Sequence, residues 1–125
     1  MKGIGYLRAG ILCCLIFAGC GASSDNQCTI NALVTPSNAT ADHNAAAPGN
    51  QVQFSTTSTV TGNCPLIADT KGSWSTSDPA NTTVSNQAPT EGLATCLNAT
   101  PRPATISTSG TVRGHTFTPA KLTCR

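Results

Sequence analysis

Four cysteines spread along the chain are the feature that most limits how it can fold. They are Cys28, Cys64, Cys96 and Cys124, and the other three of the seven cysteines, Cys13, Cys14 and Cys20, lie within the first 20 residues. No two of them are close in sequence, whereas structural zinc sites usually take their cysteines in close pairs such as C-x2-C. In an exported chain, an even number of cysteines at such spacings indicates disulfides. We therefore expect two disulfides, with a zinc site as the weaker alternative.

Four cysteines can pair in three ways. Cys28 stands before the first predicted strand and Cys124 nearly ends the chain, while Cys64 and Cys96 lie between them. These positions favour a nested pairing, Cys28 with Cys124 and Cys64 with Cys96. On the chain-entropy account, each bridge would remove roughly 3.5 to 5 kcal/mol of denatured-state freedom.

The amino-terminal segment has the pattern of a signal peptide. Lys2 and Arg8 precede an uncharged apolar run over residues 9–19. The run is too short for a transmembrane helix, which needs roughly 20 apolar residues. A short apolar run behind basic residues is typical of a segment that is removed after export.

The end of this run resembles the lipobox of bacterial lipoproteins. Residues 17–20 are Phe-Ala-Gly-Cys, an apolar residue and two small ones before a cysteine, with Phe17 where leucine is usual. The resemblance implies a signal peptide over residues 1–19, lipid attached to Cys20, and a polar tether over residues 20–27. Gly21, in place of the Asp associated with inner-membrane retention, implies an outer-membrane anchor. Cleavage by an ordinary signal peptidase, giving a periplasmic or secreted protein, is the alternative.

Charge excludes nucleic-acid binding. Once residues 1–19 are removed, five lysines and arginines are balanced by five aspartates and glutamates. Nucleic-acid binding depends on a concentrated basic surface that releases counterions, and scattered, balanced charges cannot supply one. We expect a monomer whose partners are a membrane, reached through Cys20, and a protein or glycan surface.

Composition and periodicity predict an all-β domain over residues 28–125. The chain has 20 Thr, which favours strands, and is rich in Gly, Asn, Pro and Ser, which favour turns. Alternation is clearest where Val52, Phe54, Thr56, Ser58 and Val60 share one face, as in a half-buried strand. About seven strands, as in a β-sandwich, are predicted. They cover residues 29–34, 51–60, 73–77, 82–85, 93–97, 104–109 and 116–124.

The order of short motifs resembles the bacterial Ig-like domain of group 2, the invasin and intimin type. These motifs are TPSNAT at 35–40, GNQVQFSTTSTV at 49–60, WSTSDPANTTVS at 74–85, GLATC at 92–96 and PATISTSG at 103–110. The resemblance implies an antiparallel Ig-like sandwich with Trp74 and Phe54 in its core. It also implies a non-catalytic structural or adhesive role in the cell envelope. The four cysteines depart from the common form of that domain.

Candidate sites for chemistry are few. His43 and His115 are isolated, the carboxylates are dispersed, and the chain has no G-x-S-x-G motif. We expect no enzymatic activity, no metal and no cofactor. The polar loops at residues 42–50 and 66–71 are the predicted contact surfaces. The second hypothesis is a carbohydrate-binding or small-ligand module, which would need an exposed aromatic, with Trp74 as the candidate.

Overall fold

The computed structural model describes residues 27–125. The regular secondary structure of these residues consists of β-strands, so the all-β prediction is confirmed. The predictions for residues 1–19, for Cys20 and for the tether up to residue 26 lie outside the described residues. The strands number eleven in this part of the chain. They are β1 (Thr29–Thr35), β2 (Asn38–Ala41), β3 (Gln51–Gln53), β4 (Ser55–Thr61), β5 (Trp74–Thr76), β6 (Thr82–Val84), β7 (Leu93–Cys96), β8 (Ala104–Thr108), β9 (Thr111–Val112), β10 (His115–Thr116) and β11 (Ala120–Cys124).

The strands form two main sheets, one ribbon and one small hairpin. The larger sheet has the order β2-β11-β8-β5, and the smaller has the order β3-β7-β6. β1 pairs with β4 in the two-stranded ribbon, and β9 pairs with β10 in the hairpin. All these pairs are antiparallel except β2 with β11, which run parallel.

Both sheets bury their side chains in one core. Ile106 and Leu122 come from the larger sheet, Ala94 from the smaller one, and Val34 from the ribbon. Trp74 and Phe54 complete it at 8% and 0% exposure, and they are the large aromatic side chains buried among residues 27–125. The rest of this core is made of small and medium aliphatic side chains and two cysteines, with the partly buried Phe117 packed against it, so it offers limited apolar area.

The four cysteines form two disulfides, as predicted, but the predicted nested pairing is wrong. Cys28 is bonded to Cys64, with their Cα atoms 4.6 Å apart. The register of the ribbon explains this bond, because Thr29 stands opposite Thr61. Cys28, just before β1, therefore lies beside the turn that follows β4.

The second disulfide joins the two main sheets. Cys96 ends β7 in the smaller sheet, Cys124 ends β11 in the larger one, and their Cα atoms are 5.6 Å apart. Both residues are buried, at 1% and 2% exposure. This bond is therefore part of the core.

The prediction of one half-buried strand over residues 51–60 is also wrong. The strand is interrupted at Phe54, and all seven residues of the following β4 are exposed. The strand predicted over 116–124 begins in the β9-β10 hairpin and resumes as β11, while β2 was not predicted at all. The divided strands and the additional strand β2 raise the number of strands above the expected seven.

The two disulfides differ in access to solvent, so we expect them to be reduced in a fixed order. Cys28 is exposed, whereas Cys96 and Cys124 are 1% and 2% exposed. Thiol–disulfide exchange requires a thiolate to reach a sulfur atom, so mild reductant should open Cys28–Cys64 first in the folded protein. Alkylation at timed intervals followed by peptide mass spectrometry measures the order. In denaturant the two should open at similar rates, and early loss of Cys96–Cys124 in the folded protein would contradict the prediction.

Candidate functional site

One face of β4 points toward the core but is not covered. Residues directly opposite each other in an antiparallel pair lie on the same face. Thr56 stands opposite Val34 and Ser58 opposite Ala32. Val34 and Ala32 are 0% and 6% exposed, so this is the core side of the ribbon. Thr56 and Ser58 are nevertheless exposed, which shows that no opposing layer packs on this part of β4.

The space in front of this face is a cavity of about 530 Å³, which we call the β4 cleft. Thr56 and Ser58 bound it on the ribbon side, and Thr70 and Thr111 bound it on the facing side. The buried Phe54 and Trp74 also contribute to its lining. Serine and threonine are therefore the most frequent residues in the lining of the β4 cleft, which also includes these two aromatic side chains.

The facing wall is fixed by backbone contacts. Thr70 N–H donates to the Thr111 carbonyl at 2.9 Å, and Thr111 N–H donates to the Thr70 carbonyl at 3.0 Å. Next to this bridge the chain segments at Gly72 and Gly110 come so close that a Cβ on Gly72 would lie 1.8 Å from the Gly110 nitrogen. Any side chain at position 72 would therefore push the two segments apart.

The charged side chains of the β4 cleft already have partners within the domain. Lys71 Nζ lies 2.8 Å from Glu91 Oε2, and the Lys71 side chain is 79% exposed. Asp69 Oδ1 accepts the backbone N–H of Arg113 at 2.8 Å. Exposed ion pairs of this kind contribute little to stability. Because acidic and basic side chains both line the β4 cleft, it has no cluster of like charges that would select a charged ligand.

Trp74 is held at the base of the β4 cleft by the Asn86 side chain. The backbone N–H of Trp74 donates to Asn86 Oδ1 at 2.6 Å, and Asn86 Nδ2 donates to the Trp74 carbonyl at 3.0 Å. The Asn86 amide thus occupies the free edge of β5 as a neighbouring strand would. At 8% exposure, Trp74 presents little ring surface for stacking on a sugar.

Gly92 brings the smaller sheet close to these aromatic residues. Its φ is +81°, which disfavours residues with a side chain. A Cβ there would lie 2.3 Å from the Phe54 carbonyl oxygen and 3.2 Å from Trp74 Cε2. Phe54 N–H donates to the Gly92 carbonyl at 2.9 Å. This hydrogen bond therefore lies at the boundary between the buried core and the open β4 cleft.

The structure separates the two loops that the sequence singled out. In loop 66–71, Asp69, Thr70 and Lys71 line the β4 cleft, whereas no residue of loop 42–50 does. In loop 42–50, His43 Nδ1 contacts the Arg125 carbonyl oxygen instead. His115 pairs with Val112 in the β9-β10 hairpin. Across residues 27–125, no three His, Cys, Asp or Glu side chains group as metal ligands.

Sequence reasoning missed the exposure of β4, although one signal was present. Every residue of β4 except Val60 is Ser or Thr. A strand with no apolar residue at two successive core-side positions has little to bury. The contribution of Thr111 to the cleft had no such signal, because it depends on a contact with Thr70 far away in the chain.

The chain matches no protein-family model, and no curated protein aligns with it significantly. Residues 27–125 contain no helix long and apolar enough to cross a membrane.

Removing the Asn86 side chain should loosen β5. We expect Asn86→Ala to lower the free energy of unfolding by about 1–2 kcal/mol, since two hydrogen bonds to Trp74 are lost at a partly exposed site. Urea unfolding followed by Trp74 fluorescence measures the change, and the native emission should move to the red. Gln87→Ala is the matched control, because only the backbone of Gln87 takes part in hydrogen bonds at this turn. Equal stabilities of the two variants would refute the role given to Asn86.

Proposed function

We propose that this chain is a non-catalytic, lipid-anchored Ig-like module of the bacterial cell envelope that works by binding a partner. The pattern of residues 1–20 supports export and lipid attachment at Cys20. The two disulfides support an oxidising compartment outside the cytoplasm.

The order of the strands supports the Ig-like part of the proposal. In an Ig sandwich, strands A, B, E and D form one sheet, and C, F and G form the other. If β1 is taken as A and β3 with β4 as B, the smaller sheet has the order B-E-D through β3-β7-β6. The larger sheet then has the order G-F-C through β11-β8-β5, with β2 added beside G.

The observation that carries a binding role is the free edge of β4. Its hydrogen-bonded strand partner within residues 27–125 is β1 alone, on one side. Exposed edges are usually protected by charged side chains, proline or a bulge, and the β4 sequence STTSTVT has no charge and no proline. Such an edge can accept an extended segment of a partner protein as an added strand. Main-chain hydrogen bonds would provide affinity, and the hydroxyl groups of β4 would provide contacts to the partner's side chains.

The second candidate is a small-ligand or carbohydrate-binding module, and the β4 cleft favours it. Its volume of about 530 Å³ lies within the range of small-molecule sites, roughly 300–1,000 Å³. The low exposure of Trp74 weighs against sugar stacking. A saturable change in Trp74 emission on addition of a sugar would favour this candidate over strand addition.

Peptides selected for binding to the intact, folded protein should bind in extended form along β4. We expect them to protect β4 amides from hydrogen exchange, because their backbone would occupy the free edge. Thr59→Lys should weaken binding by about tenfold or more, since a charge on an edge strand opposes strand addition. Thr83→Lys is the control, an exposed threonine in β6. Protection elsewhere, or equal binding by both variants, would rule out the β4 edge as the acceptor.

The anchor is tested by the intact mass of the protein purified from membranes of a Gram-negative host. We expect a chain that begins at Cys20 and carries a diacylglyceryl-type adduct, with the other four cysteines blocked to alkylation until reduced. Cys20→Ser should give an unlipidated chain that does not sediment with membranes. A wild-type chain without lipid and with free thiols would reject both the anchor and the exported, disulfide-bonded form.

A further inference from the structure

Exposed apolar side chains are concentrated at one end of the domain. Among residues 27–125, four large hydrophobic residues are exposed: Leu66 at 91%, Ile67 at 52%, Leu97 at 48% and Val60 at 37%. Three of these four flank Cys64, in the last part of β4 and in the loop that follows it. We call Leu66 and Ile67, together with Pro65 before them, the apolar tip.

Leu97 lies at the other end of the 51–61 segment. Leu97 is the second residue after Thr95, and Thr95 stands opposite Gln51 at the start of β3. The apolar tip instead follows the end of β4. Leu97 is therefore an exposed leucine far from the tip and provides an internal comparison.

The Cys28–Cys64 disulfide places the apolar tip beside the start of the described chain. The two Cα atoms are 4.6 Å apart, and Leu66 is the second residue after Cys64. The segment that leads back to Cys20 therefore departs from the same place. The eight residue steps from Cys20 to Cys28 can span at most about 29 Å, at 3.6 Å per residue.

A cationic side chain lies directly behind the tip. Arg113 Nη1 donates to the Pro65 carbonyl at 3.3 Å. Ile67 lies close to the neighbouring Gly114, since a Cβ built on that glycine would be 3.4 Å from Ile67 Cδ1. Apolar side chains in front of a basic residue are the combination found at membrane interfaces, where the apolar groups enter the acyl boundary and the cation contacts anionic head groups.

We infer that the apolar tip inserts into the surface of the membrane to which Cys20 is attached. This inference rests on the proposed lipid anchor. Two apolar side chains alone would bind a bilayer weakly, but a short tether raises their effective concentration at the surface to the millimolar range. The disulfide thus acts as a rigid link between the tether and the tip. Contact at two places sets the orientation of the domain, with the end that carries Leu97 and loop 42–50 directed away from the bilayer.

Tryptophan scanning with quenching lipids tests this orientation on the full-length, lipidated protein. Leu66→Trp and Leu97→Trp are matched variants, each replacing an exposed leucine at one end of the domain. Both are purified from membranes, checked by intact mass for the lipid adduct and two intact disulfides, and reconstituted into vesicles of phosphatidylethanolamine and phosphatidylglycerol with brominated acyl chains. The wild type supplies the background from Trp74. We expect quenching of the Leu66→Trp signal to exceed that of Leu97→Trp by at least about twofold, because bromine quenches only indoles at the acyl boundary.

The two ways of failing are distinguishable. Lipidated protein that floats with the vesicles but shows equal quenching at positions 66 and 97 overturns the insertion of the tip and leaves the anchor in place. A chain that lacks the adduct and does not float overturns the anchor, and the inference with it.

Discussion

The disulfide between Cys96 and Cys124 holds the two main sheets together. It joins the ends of β7 and β11 across the two main sheets, inside a core whose large aromatic members are Phe54 and Trp74. A core of this composition buries limited apolar area, and closing a loop of 28 residues offsets about 3.5 kcal/mol of chain entropy. The bond also sets the distance between the sheets where it lies. Away from it, beyond Phe54, the layers are no longer in contact along β4.

The features proposed for function all lie on or next to the ribbon of β1 and β4. The free edge and the β4 cleft are two aspects of one strand that has a partner on one side and no covering layer on its core side. The apolar tip follows the same strand and is tied to β1 by the Cys28–Cys64 bond. One disulfide therefore stabilises the core, and the other holds the exposed ribbon together where it carries least apolar support.

Local sequence patterns predicted the positions of most strands but not which of their faces other segments cover. Residues 29–34, 82–85, 93–97 and 104–109 form strands close to their predicted bounds, because β-branched residues and turn residues act on their own segment of chain. The alternation over 51–60 was correct about which residues share a face. It could not show that a facing layer covers Phe54 and leaves Thr56 and Ser58 open, since that depends on residues 70–72 and 108–111. β2 was missed because it exists only through its pairing with β11, at the end of the chain.

The all-β structure and the two disulfides could be predicted from the sequence, because strand preference, turn chemistry and the four cysteines after residue 20 are properties of the residues themselves. The tertiary structure determines which cysteines pair, since the pairing follows from the register of Thr29 with Thr61 and from β7 and β11 ending side by side. It also decided where the layers separate, and so placed the β4 cleft and the apolar tip. The physical reason is that register and layer separation arise from contacts between segments far apart in sequence, which no local pattern records.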